Sequence, residues 1–406
     1  MITLLLALQT ADTLRLPPGE VLARLEARAP ALRAAGARVT AAEATRRGAF
    51  RLADPLLSAM AENIGATREI TGRTGLPGIE GQVVLQFPVA LGGDRGARQG
   101  IATAELTMAE VARELTTADV RTAGLHLLAG LQHAEALRAD AEAESMALGR
   151  FADAMTAREQ VGRESAGDAA RARAEASAAR SALARRAADA ARLEAELAVL
   201  LGEPDGRVLT LEDAACDARG VAIGAPRDVR LADAMVARAE ATSRLAAAAR
   251  VPDLLPQVGL RRTAGFSGLL IGLAVELPVF GRTQSALATA RAEAAAVEAD
   301  RAQLVERVTA TQRGRAAALA RLEAAASAWT PERLADLDRA VAAAEARHAA
   351  GEGSLHELFD ARRARLLVRA EFEAWRADVR RARIDLARAS DAPLVATLLC
   401  TPELTR

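Results

Sequence analysis

The sequence predicts a mainly α-helical protein with a small β part, built from two copies of one structural repeat. Two alternating apolar segments each end in a Pro-Val step, at Pro88 and at Pro278, before a long alanine-rich run. A second pair of landmarks consists of Gly162-Arg-Glu-Ser165 and Gly351-Glu-Gly-Ser354, and its offset along the chain differs by a single position from that of the two prolines. A nearly constant offset at two independent places indicates a tandem duplication of almost the whole chain.

The composition favours long helices packed side by side and disfavours a thick core. Of the 406 residues, 51% are hydrophobic, but half of these are alanine and only 2% of the chain is aromatic. Alanine is the strongest helix former, and its small side chain lets helices approach closely. The 53 basic and 53 acidic residues are interspersed along the chain. Since no basic stripe results, the charge pattern argues against nucleic-acid binding.

Helix and strand signals alternate in the same order in both halves of the chain. In the first half the signals predict a helix from Pro17 to about Arg51, strands at 56–70 and 79–91, a helix from Gly93 to about Arg150 and a helix from Asp168 to Leu201. In the second half they predict a helix at 228–249, strands at 254–264 and 268–280, a helix at 282–328, a short helix from Pro331 and a helix at 354–390. The helix from Gly93 would be roughly 80 Å long, far beyond an ordinary globular helix.

The last helix carries a coiled-coil seam, because its apolar residues step by three and four positions. The seam consists of Val368, Phe372, Trp375, Val379, Ala382 and Leu386. Subtracting the repeat offset places three of them on Leu183, Leu193 and Leu197, whereas Trp375 maps to Arg186. The seam is therefore duplicated in register, although the two copies are not equivalent everywhere.

These signals divide the chain into five segments. The segments are 1–17, a remnant of a secretion signal; 18–206, the first repeat with its hairpin at 54–91; 207–227, a linker; 228–390, the second repeat with its hairpin at 253–280; and 391–406, a C-terminal tail. The first segment contains the apolar run Ile2–Leu8 but lacks a basic start and an Ala-x-Ala cleavage site. No run of about 18 apolar residues predicts a transmembrane helix. Cys216 and Cys400 have no metal-ligand or CxxC spacing, so we expect free thiols, with a disulfide as the less favoured alternative.

The second strand of each predicted hairpin has one apolar face. The apolar positions, which we take as candidates for contact with lipid, are Ile79, Val83, Leu85, Phe87, Ile271, Leu273, Val275 and Leu277. Lipid outside and water inside a membrane barrel produce this alternation. Four strands per chain are too few to close a barrel, so closure needs several protomers, and three would supply 12 strands. The first strands alternate less cleanly, since Arg261 and Arg262 are adjacent. Either these two arginines face the lumen and the rim of the barrel, or the chain is a divergent barrel protein.

The duplicated order of strand pair, long helix, Gly-x-x-Ser break and returning helix resembles the TolC-like outer-membrane efflux family, the outer membrane factors, over about residues 18–390. The most specific segments are Leu273-Ala-Val-Glu-Leu-Pro-Val-Phe-Gly281 and Ala349-Ala-Gly-Glu-Gly-Ser-Leu-His-Glu-Leu-Phe-Asp-Ala-Arg362. The second is similar to the family's Tyr-x-x-Gly-x-x-Ser motif, with His348 in place of Tyr. Trp329-Thr-Pro-Glu332 resembles a proline-containing break of the family's metal-efflux branch.

The resemblance implies a homotrimer in the outer membrane of a Gram-negative bacterium. A 12-stranded β-barrel in outer-membrane lipid would be continued into the periplasm by a long coiled-coil α-helical barrel. The implied partners are a periplasmic adaptor (membrane fusion) protein and an inner-membrane efflux pump that supplies the energy. The implied function is a passive exit duct for small molecules or metal ions, without cofactor, metal centre or catalysis.

The resemblance also implies that acidic residues near the Gly-x-x-Ser break form a constriction at the periplasmic mouth. By position these candidates are Asp168, Glu357 and Asp360. Rings of carboxylates in a pore favour cations. Ser354 and Glu357 also have capping-box spacing, as do Ser165 and Asp168, so helix capping alone accounts for these two acids equally well. Asp360 fits a solvated helix face as well as an aperture.

The histidines do not predict a metal site. His126 and His133 share a helix face, but no Cys or carboxylate cluster completes a metal site, and surface or seam positions explain them better. His356, next to Glu357, could make the aperture sensitive to pH.

Two other classes of function remain open at this point. A soluble coiled-coil scaffold or periplasmic adaptor without a pore explains the helices but not the two matched strand pairs. An enzyme with a helical domain lacks any recognisable catalytic arrangement.

Overall fold

The computed structural model describes residues 14–62, 80–201, 209–211, 226–263, 266–275, 277 and 281–400. Its elements in chain order are β1 (Leu14–Leu16), α1 (Pro18–Arg28), α2 (Pro30–Ala49), β2 (Leu56–Glu62), β3 (Glu80–Gln86), α3 (Asp94–Gln160), α4 (Ala166–Leu201), β4 (Leu209–Leu211), α5 (Arg227–Ala248), β5 (Leu254–Thr263), β6 (Phe266–Val275), α6 (Arg282–Ala324), α7 (Pro331–Ala349) and α8 (Leu355–Ala389). Single-turn 3₁₀ helices lie at Ala325–Ala328 and Ala396–Leu399. The mainly helical class with a small β part is confirmed.

The chain forms two compact units, and each takes segments from both sequence repeats. One unit comprises residues 1–33, 115–226 and 307–406; the other comprises 34–114 and 227–306. We refer to them as the helical unit and the sheet unit, because the second contains the four-stranded sheet. Among the described residues, no helix is both long and apolar enough to cross a membrane.

The first predicted helix was wrong in one respect, because the structure has two helices there. Helix α1 ends at Arg28 and α2 begins at Pro30. Between them Ala29 has φ −58° and ψ 115°, which is not helical. The ring of a proline disfavours helical geometry in the residue before it and removes a backbone donor, so the chain turns at Ala29.

A short parallel sheet was missed by the sequence analysis. Strand β1 pairs with β4, with Leu14 opposite Leu209 and Leu16 opposite Leu211. These strands lie in the segments that we interpreted as a signal remnant and a linker. Three-residue strands from distant parts of the chain give no local periodicity, so the sequence could not reveal the pairing.

The helical unit is held together by three apolar clusters. The largest joins α1, α3, α4, α8 and the C-terminal segment, and its fully buried members include Val21, Leu125, Leu197 and Ile384. A second cluster packs next to the turns that follow α3 and α7. In the third, the α8 seam packs on α6, where the Trp375 indole N–H donates to the Leu322 carbonyl at 2.8 Å. Of the seam predicted from the sequence, Trp375, Val379 and Leu386 are buried and Phe372 and Ala382 are half-buried in this cluster, whereas Val368 is not part of it.

In the sheet unit, an antiparallel sheet has the strand order β2-β3-β5-β6. The two predicted hairpins therefore lie side by side, because β3 of the first pairs with β5 of the second. Strand β3 ends at Gln86, before the predicted end at 91, whereas the predicted strand residues 63–70, 79, 264, 276 and 278–280 lie outside the described residues. Helices α3 and α5 are joined by ion pairs from Arg230 to Glu114 and from Arg238 to Glu105 at 2.9 Å.

The expectation of a free thiol was wrong for Cys400, which is disulfide-bonded and buried. It follows the last 3₁₀ turn and packs beside Leu399 of the largest cluster. The other cysteine of the sequence, Cys216, lies outside the described residues. Disulfides persist in oxidising compartments such as the periplasm.

Replacing Cys400 with serine should therefore destabilise the protein. We expect the free energy of unfolding to fall by about 2–5 kcal/mol, because the crosslink no longer restricts the unfolded chain. Urea unfolding followed by circular dichroism would measure the loss. A reductant should destabilise the wild type by a similar amount and leave Cys400→Ser unchanged. Equal sensitivity of both proteins to reductant would contradict the prediction.

Candidate functional site

The first candidate surface is one face of the four-stranded sheet. Directly opposite residues of antiparallel strands project to the same face. Leu57 of β2 pairs with Leu85 of β3, Leu85 with Val258 of β5, and Val258 with Ile271 of β6. One row of large apolar side chains thus crosses all four strands. Ile271, at the end of this row, has 78% of its surface exposed.

Neighbouring rows extend this surface, which we call the apolar face. The next row joins Ala59, Val83, Leu260 and Leu269. On the other side, Leu273 lies opposite Pro256, whose carbonyl accepts the Phe87 N–H at 3.0 Å, and Val275 lies opposite Leu254. Leu269, Leu273 and Leu277 are exposed. A large contiguous apolar area is rare on soluble monomers and marks an interaction surface.

The reverse face of the sheet is mixed, with polar side chains interspersed among glycine and apolar residues. Gln86 pairs with Gln257, and Gln257 pairs with Gly272. Gln82 pairs with Arg261, which lies opposite Gly268. Arg262 is one residue further and therefore on the apolar face, at the end of β5 that leads into the β5–β6 turn. The two adjacent arginines are separated by the pleat: Arg261 lies on the reverse face, and Arg262 lies at the border of the apolar face, opposite Ser267.

Seven of the eight candidate lipid-facing residues lie in the described part of the chain. Six of them (Val83, Leu85, Phe87, Ile271, Leu273 and Val275) occupy the apolar face, and Leu277 follows β6 with 65% exposure. Ile79 lies outside the described residues. Leu57, Val258, Leu260 and Leu269 lie on the same face but were not predicted from the sequence. The alternation Pro256-Gln-Val-Gly-Leu-Arg261 was a usable signal, obscured by the arginine pair that follows it.

The second candidate surface surrounds the turns after α3 and α7, in the helical unit. Both turns are closed by the same motif. Gly162 and Gly351 have φ values of +70° and +78°. The next residue's N–H returns to the carbonyl five positions back, from Arg163 to Arg158 at 2.9 Å and from Glu352 to Arg347 at 2.9 Å. These are Schellman motifs with glycine at the left-handed position, spaced by the repeat offset.

Because only glycine adopts this conformation without strain, Gly351→Ala should lower the free energy of unfolding by about 1–2 kcal/mol. Gly314 provides a matched control, since it lies inside α6, has no close neighbour at the position of a Cβ atom and has no positive φ. Gly314→Ala should stabilise the protein by about 0.5–1 kcal/mol through helix propensity. Chemical unfolding of both variants should give opposite signs, and equal signs would contradict the assignment.

The three candidate aperture acids each have a local partner. Asp168 donates its N–H to Ser165 Oγ at 3.0 Å and accepts the Ser165 hydroxyl at 2.7 Å through Oδ2. Glu357 donates its N–H to Ser354 Oγ at 3.2 Å, and its carboxylate lies 3.4 Å from Arg347. Both serines therefore cap their helices, as the spacing predicted. Asp360 lies 3.0 Å from His356 and 3.7 Å from Arg363.

Small apolar residues of α4 pack against the helices next to these turns. Ala169, Ala172 and Ala176 of α4 pack against Leu355, Leu358 and Phe359 of α8 and against α3. The rings of Phe151 and Phe359 meet edge to face with centroids 6.0 Å apart. The α4 contribution to this cluster is nearly all alanine, so it buries little apolar area per residue. Polar contacts consequently carry a larger share of the α4–α8 contact than in an ordinary core.

Three arginines of α8, spaced at i, i+3 and i+7, were not singled out from the sequence. Arg362 and Arg365 both bind Glu144 of α3, at 3.2 and 2.5 Å, and Arg362 also pairs with Glu345 of α7. Arg369 joins Asp140 of α3 at 3.2 Å and Asp338 of α7 at 2.9 Å. We call this set the arginine ladder (Arg362, Arg365, Arg369 with Asp140, Glu144, Asp338 and Glu345).

The arginine ladder fastens α3 and α7 to α8. Glu144 is only 2% exposed, and Arg362 is buried as well. Burial opposes the charge of Arg369, but the attraction of Asp338 and Asp140 outweighs it and raises the pKa of the guanidinium. The signal that could have revealed the ladder is the matching helical spacing of acids on α3, at 140 and 144, and on α7, at 338 and 345.

The histidines do not converge on one another in the described residues. His126 lies 3.1 Å from Asp385 of α8. Burial, followed by the positive charge of Arg381, lowers the pKa of His133. Within the described ranges, no group of three or more His, Cys, Asp or Glu side chains could hold a metal ion.

Comparison with solved structures identifies the fold. The outer membrane protein VceC from Vibrio cholerae superposes with a TM-score of 0.78 at 20% identity, covering 93% of this chain and 96% of that chain. CusC, whose structures address folding and transmembrane channel formation, has a TM-score of 0.76 at 18% identity, with 94% and 93% covered. The Campylobacter jejuni CmeC outer membrane channel has a TM-score of 0.76 at 14% identity, with 94% and 86% covered.

Comparison of sequences finds no match, whereas comparison of structures does. No protein-family model matches the chain, and no curated protein matches it. The structural similarity nevertheless extends over more than nine-tenths of the chain in all three comparisons. The chain therefore has the fold of the TolC-like outer-membrane channel proteins.

Proposed function

We propose that this protein is the outer-membrane exit duct of a tripartite efflux system in a Gram-negative bacterium. Three copies close a 12-stranded β-barrel in the outer membrane, and their helices form an α-helical barrel in the periplasm. The duct is a passive conduit for small molecules or metal ions and catalyses no reaction. A periplasmic adaptor and an inner-membrane pump deliver the cargo and supply the energy.

The apolar face of the sheet carries this proposal. Its rows of Leu, Ile and Val are exposed in the single chain, and a hydrocarbon environment is the one that such a surface prefers. The reverse face, with its glutamines and Arg261, suits a water-filled lumen. Strands β2 and β6 are the two edges of the sheet. Because unpaired strand edges are not tolerated in hydrocarbon, each edge must pair with another copy.

The alternative of a soluble scaffold or adaptor leaves the apolar face without a role. A soluble protein would bury these residues or replace them with polar ones, since exposed apolar area promotes aggregation. The alternative of an enzyme has no arrangement of side chains behind it. Within the described residues no cluster could hold a metal ion, and the acids near the turns are engaged in helix caps and ion pairs. No observation favours either alternative over the duct.

We further propose that Asp168, Glu357 and Asp360 contribute to the periplasmic aperture. All three lie at the turns after α3 and α7 or in the first two turns of the helices that follow. Three copies of each acid around one axis would form rings of negative charge, which raise the local concentration of cations.

Ion conductance tests the duct directly. The purified protein, inserted into planar bilayers, should form water-filled channels with discrete conductance steps. In a salt gradient, the triple variant Asp168→Asn, Glu357→Gln, Asp360→Asn should shift the reversal potential toward lower cation preference than that of the wild type. Absence of conductance would contradict the duct, whereas conductance with an unchanged reversal potential would contradict only the aperture.

A further inference from the structure

A cavity of about 370 Å³ lies between α3, α4 and α8 in the helical unit. Its lining runs from 137 to 148 on α3, from 175 to 186 on α4 and from 359 to 370 on α8, so each helix contributes about three turns, or about 16 Å. Alanines of all three helices line it, and Leu148 and Phe359 line the end nearest the turns that follow α3 and α7. A cavity of this volume with mostly apolar walls is typical of sites for small organic ligands.

Comparison of the two repeats shows why space is left at this place. The offset of the two glycine turns relates Val368 and Trp375 of α8 to Ala179 and Arg186 of α4. In the second repeat Trp375 is buried on α6 and fills the seam. In the first repeat the equivalent positions carry a short side chain and a charged one, and both line the cavity. An open slot therefore replaces the packed seam in one repeat only.

The charges of the lining leave two arginines unpaired at the end of the cavity furthest from the turns. Two of the three lining acids belong to the arginine ladder, and the third, Glu175, is paired with Arg363. Arg185 and Arg186, in contrast, have no acidic partner in the part of the chain that the structure describes. Both are exposed, so their guanidinium groups are free to bind a ligand. The cavity is thus apolar along its length and positively charged at one end.

We propose that this cavity binds a small amphiphilic anion with a single apolar chain, of the class of medium-chain fatty carboxylates. The apolar chain lies along the alanine walls toward Phe359, and the anionic group lies at the end that carries Arg185 and Arg186. Guanidinium groups bind carboxylates through charge-assisted hydrogen bonds, and the chain gains from leaving water. Since the volume is spread over about three helical turns, the slot is narrow and suits one extended chain. A cation of the same shape would be repelled by both arginines.

Decanoate is the probe that tests this site, with the protein in micelles of a non-ionic detergent that covers the apolar face. The chain has seven phenylalanines, so ¹⁹F-labelled phenylalanine resolves the ring of Phe359 by NMR. Decanoate should shift the Phe359 signal to saturation. Decyltrimethylammonium, which has the same chain and the opposite charge, should not saturate the signal over the same concentrations. No saturable shift with decanoate, or an equal response to the cation, would overturn the site.

Two charge variants test the anionic end of the cavity. The double variant Arg185→Ala, Arg186→Ala should raise the decanoate concentration at half-saturation about five- to tenfold, because two charge-assisted contacts at an exposed site are lost. Arg180→Ala is the matched control, since Arg180 is an exposed arginine of the same helix that does not line the cavity. It should bind decanoate as the wild type does. Equal half-saturation of the double variant and Arg180→Ala would overturn the proposal.

Ala182→Leu tests the apolar part of the cavity. The larger side chain fills space between the helices and leaves both arginines in place, so it should weaken decanoate binding at least as much as the double variant does. Urea unfolding shows that the variant is folded. Wild-type binding by folded Ala182→Leu would overturn the placement of the chain in this cavity. None of these measurements requires conductance, so their outcome is independent of the proposed duct.

Discussion

Ile271→Arg should abolish accumulation of the trimer in the membrane. Ile271 ends the row that crosses all four strands of the sheet, and the proposed barrel exposes it to the hydrocarbon of the bilayer. An arginine on the lipid-facing side of a barrel costs about 2–4 kcal/mol near the bilayer midplane. In a trimer this cost is incurred three times, so folding and insertion should fail together.

The same substitution separates the duct from the soluble scaffold. Because the Ile271 side chain is 78% exposed in the single chain, an arginine there would be neutral or favourable in water. Gln257→Arg is the matched control: it lies on the reverse face of the neighbouring strand, opposite Gly272, where we expect water. Membrane fractionation and light scattering in mild detergent should find trimer for Gln257→Arg and little for Ile271→Arg. Wild-type yields of membrane-bound Ile271→Arg would contradict the assignment of the apolar face.

Glu144→Ala should cause the largest loss of stability in the helical unit. Glu144 is buried and accepts hydrogen bonds from Arg362 and Arg365. Removing the carboxylate leaves the buried Arg362 guanidinium with only the more exposed Glu345 as an acidic partner, and breaking a buried ion pair typically costs about 3–5 kcal/mol. The loss should also loosen α3 from α8, because the ladder bridges these two helices.

Two variants define the cause of that loss. Glu142→Ala removes an exposed carboxylate two residues away on the same helix and should change the free energy of unfolding by less than about 0.5 kcal/mol. Glu144→Gln keeps the shape but removes the charge, so most of the destabilisation should remain. Urea unfolding monitored by circular dichroism measures all three. A Glu144→Ala variant as stable as Glu142→Ala would contradict the role of the ladder.

The order of helices and strands was predictable from the sequence because the same order occurs in both halves of the chain. The nearly equal offsets between Pro88 and Pro278 and between the two glycine turns revealed the duplication, and Gly162 and Gly351 prove to form the same motif in the structure. The apolar seam of α8 was also evident from its spacing, although the spacing did not identify α6 as the helix on which Trp375 is buried. Periodicity and turn chemistry are local signals, and they identify elements well.

The pairing between distant elements was less accessible. The break at Pro30 was overlooked because the apolar pattern continues from α1 into α2, although the proline itself is a sufficient signal. The β1–β4 pairing and the arginine ladder depend on which segments meet in space. For example, neither Glu144 nor Arg362 is unusual in a charged helix, and only their burial against each other distinguishes them. The alternation of β5 was hidden by the neighbouring arginines, and the strand register was needed to separate Arg261 from Arg262.

The measurement that tests the shared barrel most directly is the mass of the protein in and out of detergent. Multi-angle light scattering in mild detergent, after membrane fractionation, should find a protein mass three times that of the 42.4 kDa chain. Without detergent, the protein should remain with the membrane or aggregate, because the apolar face has no other cover. A monomer or dimer that stays in solution without detergent would contradict the trimeric barrel and favour the coiled-coil scaffold.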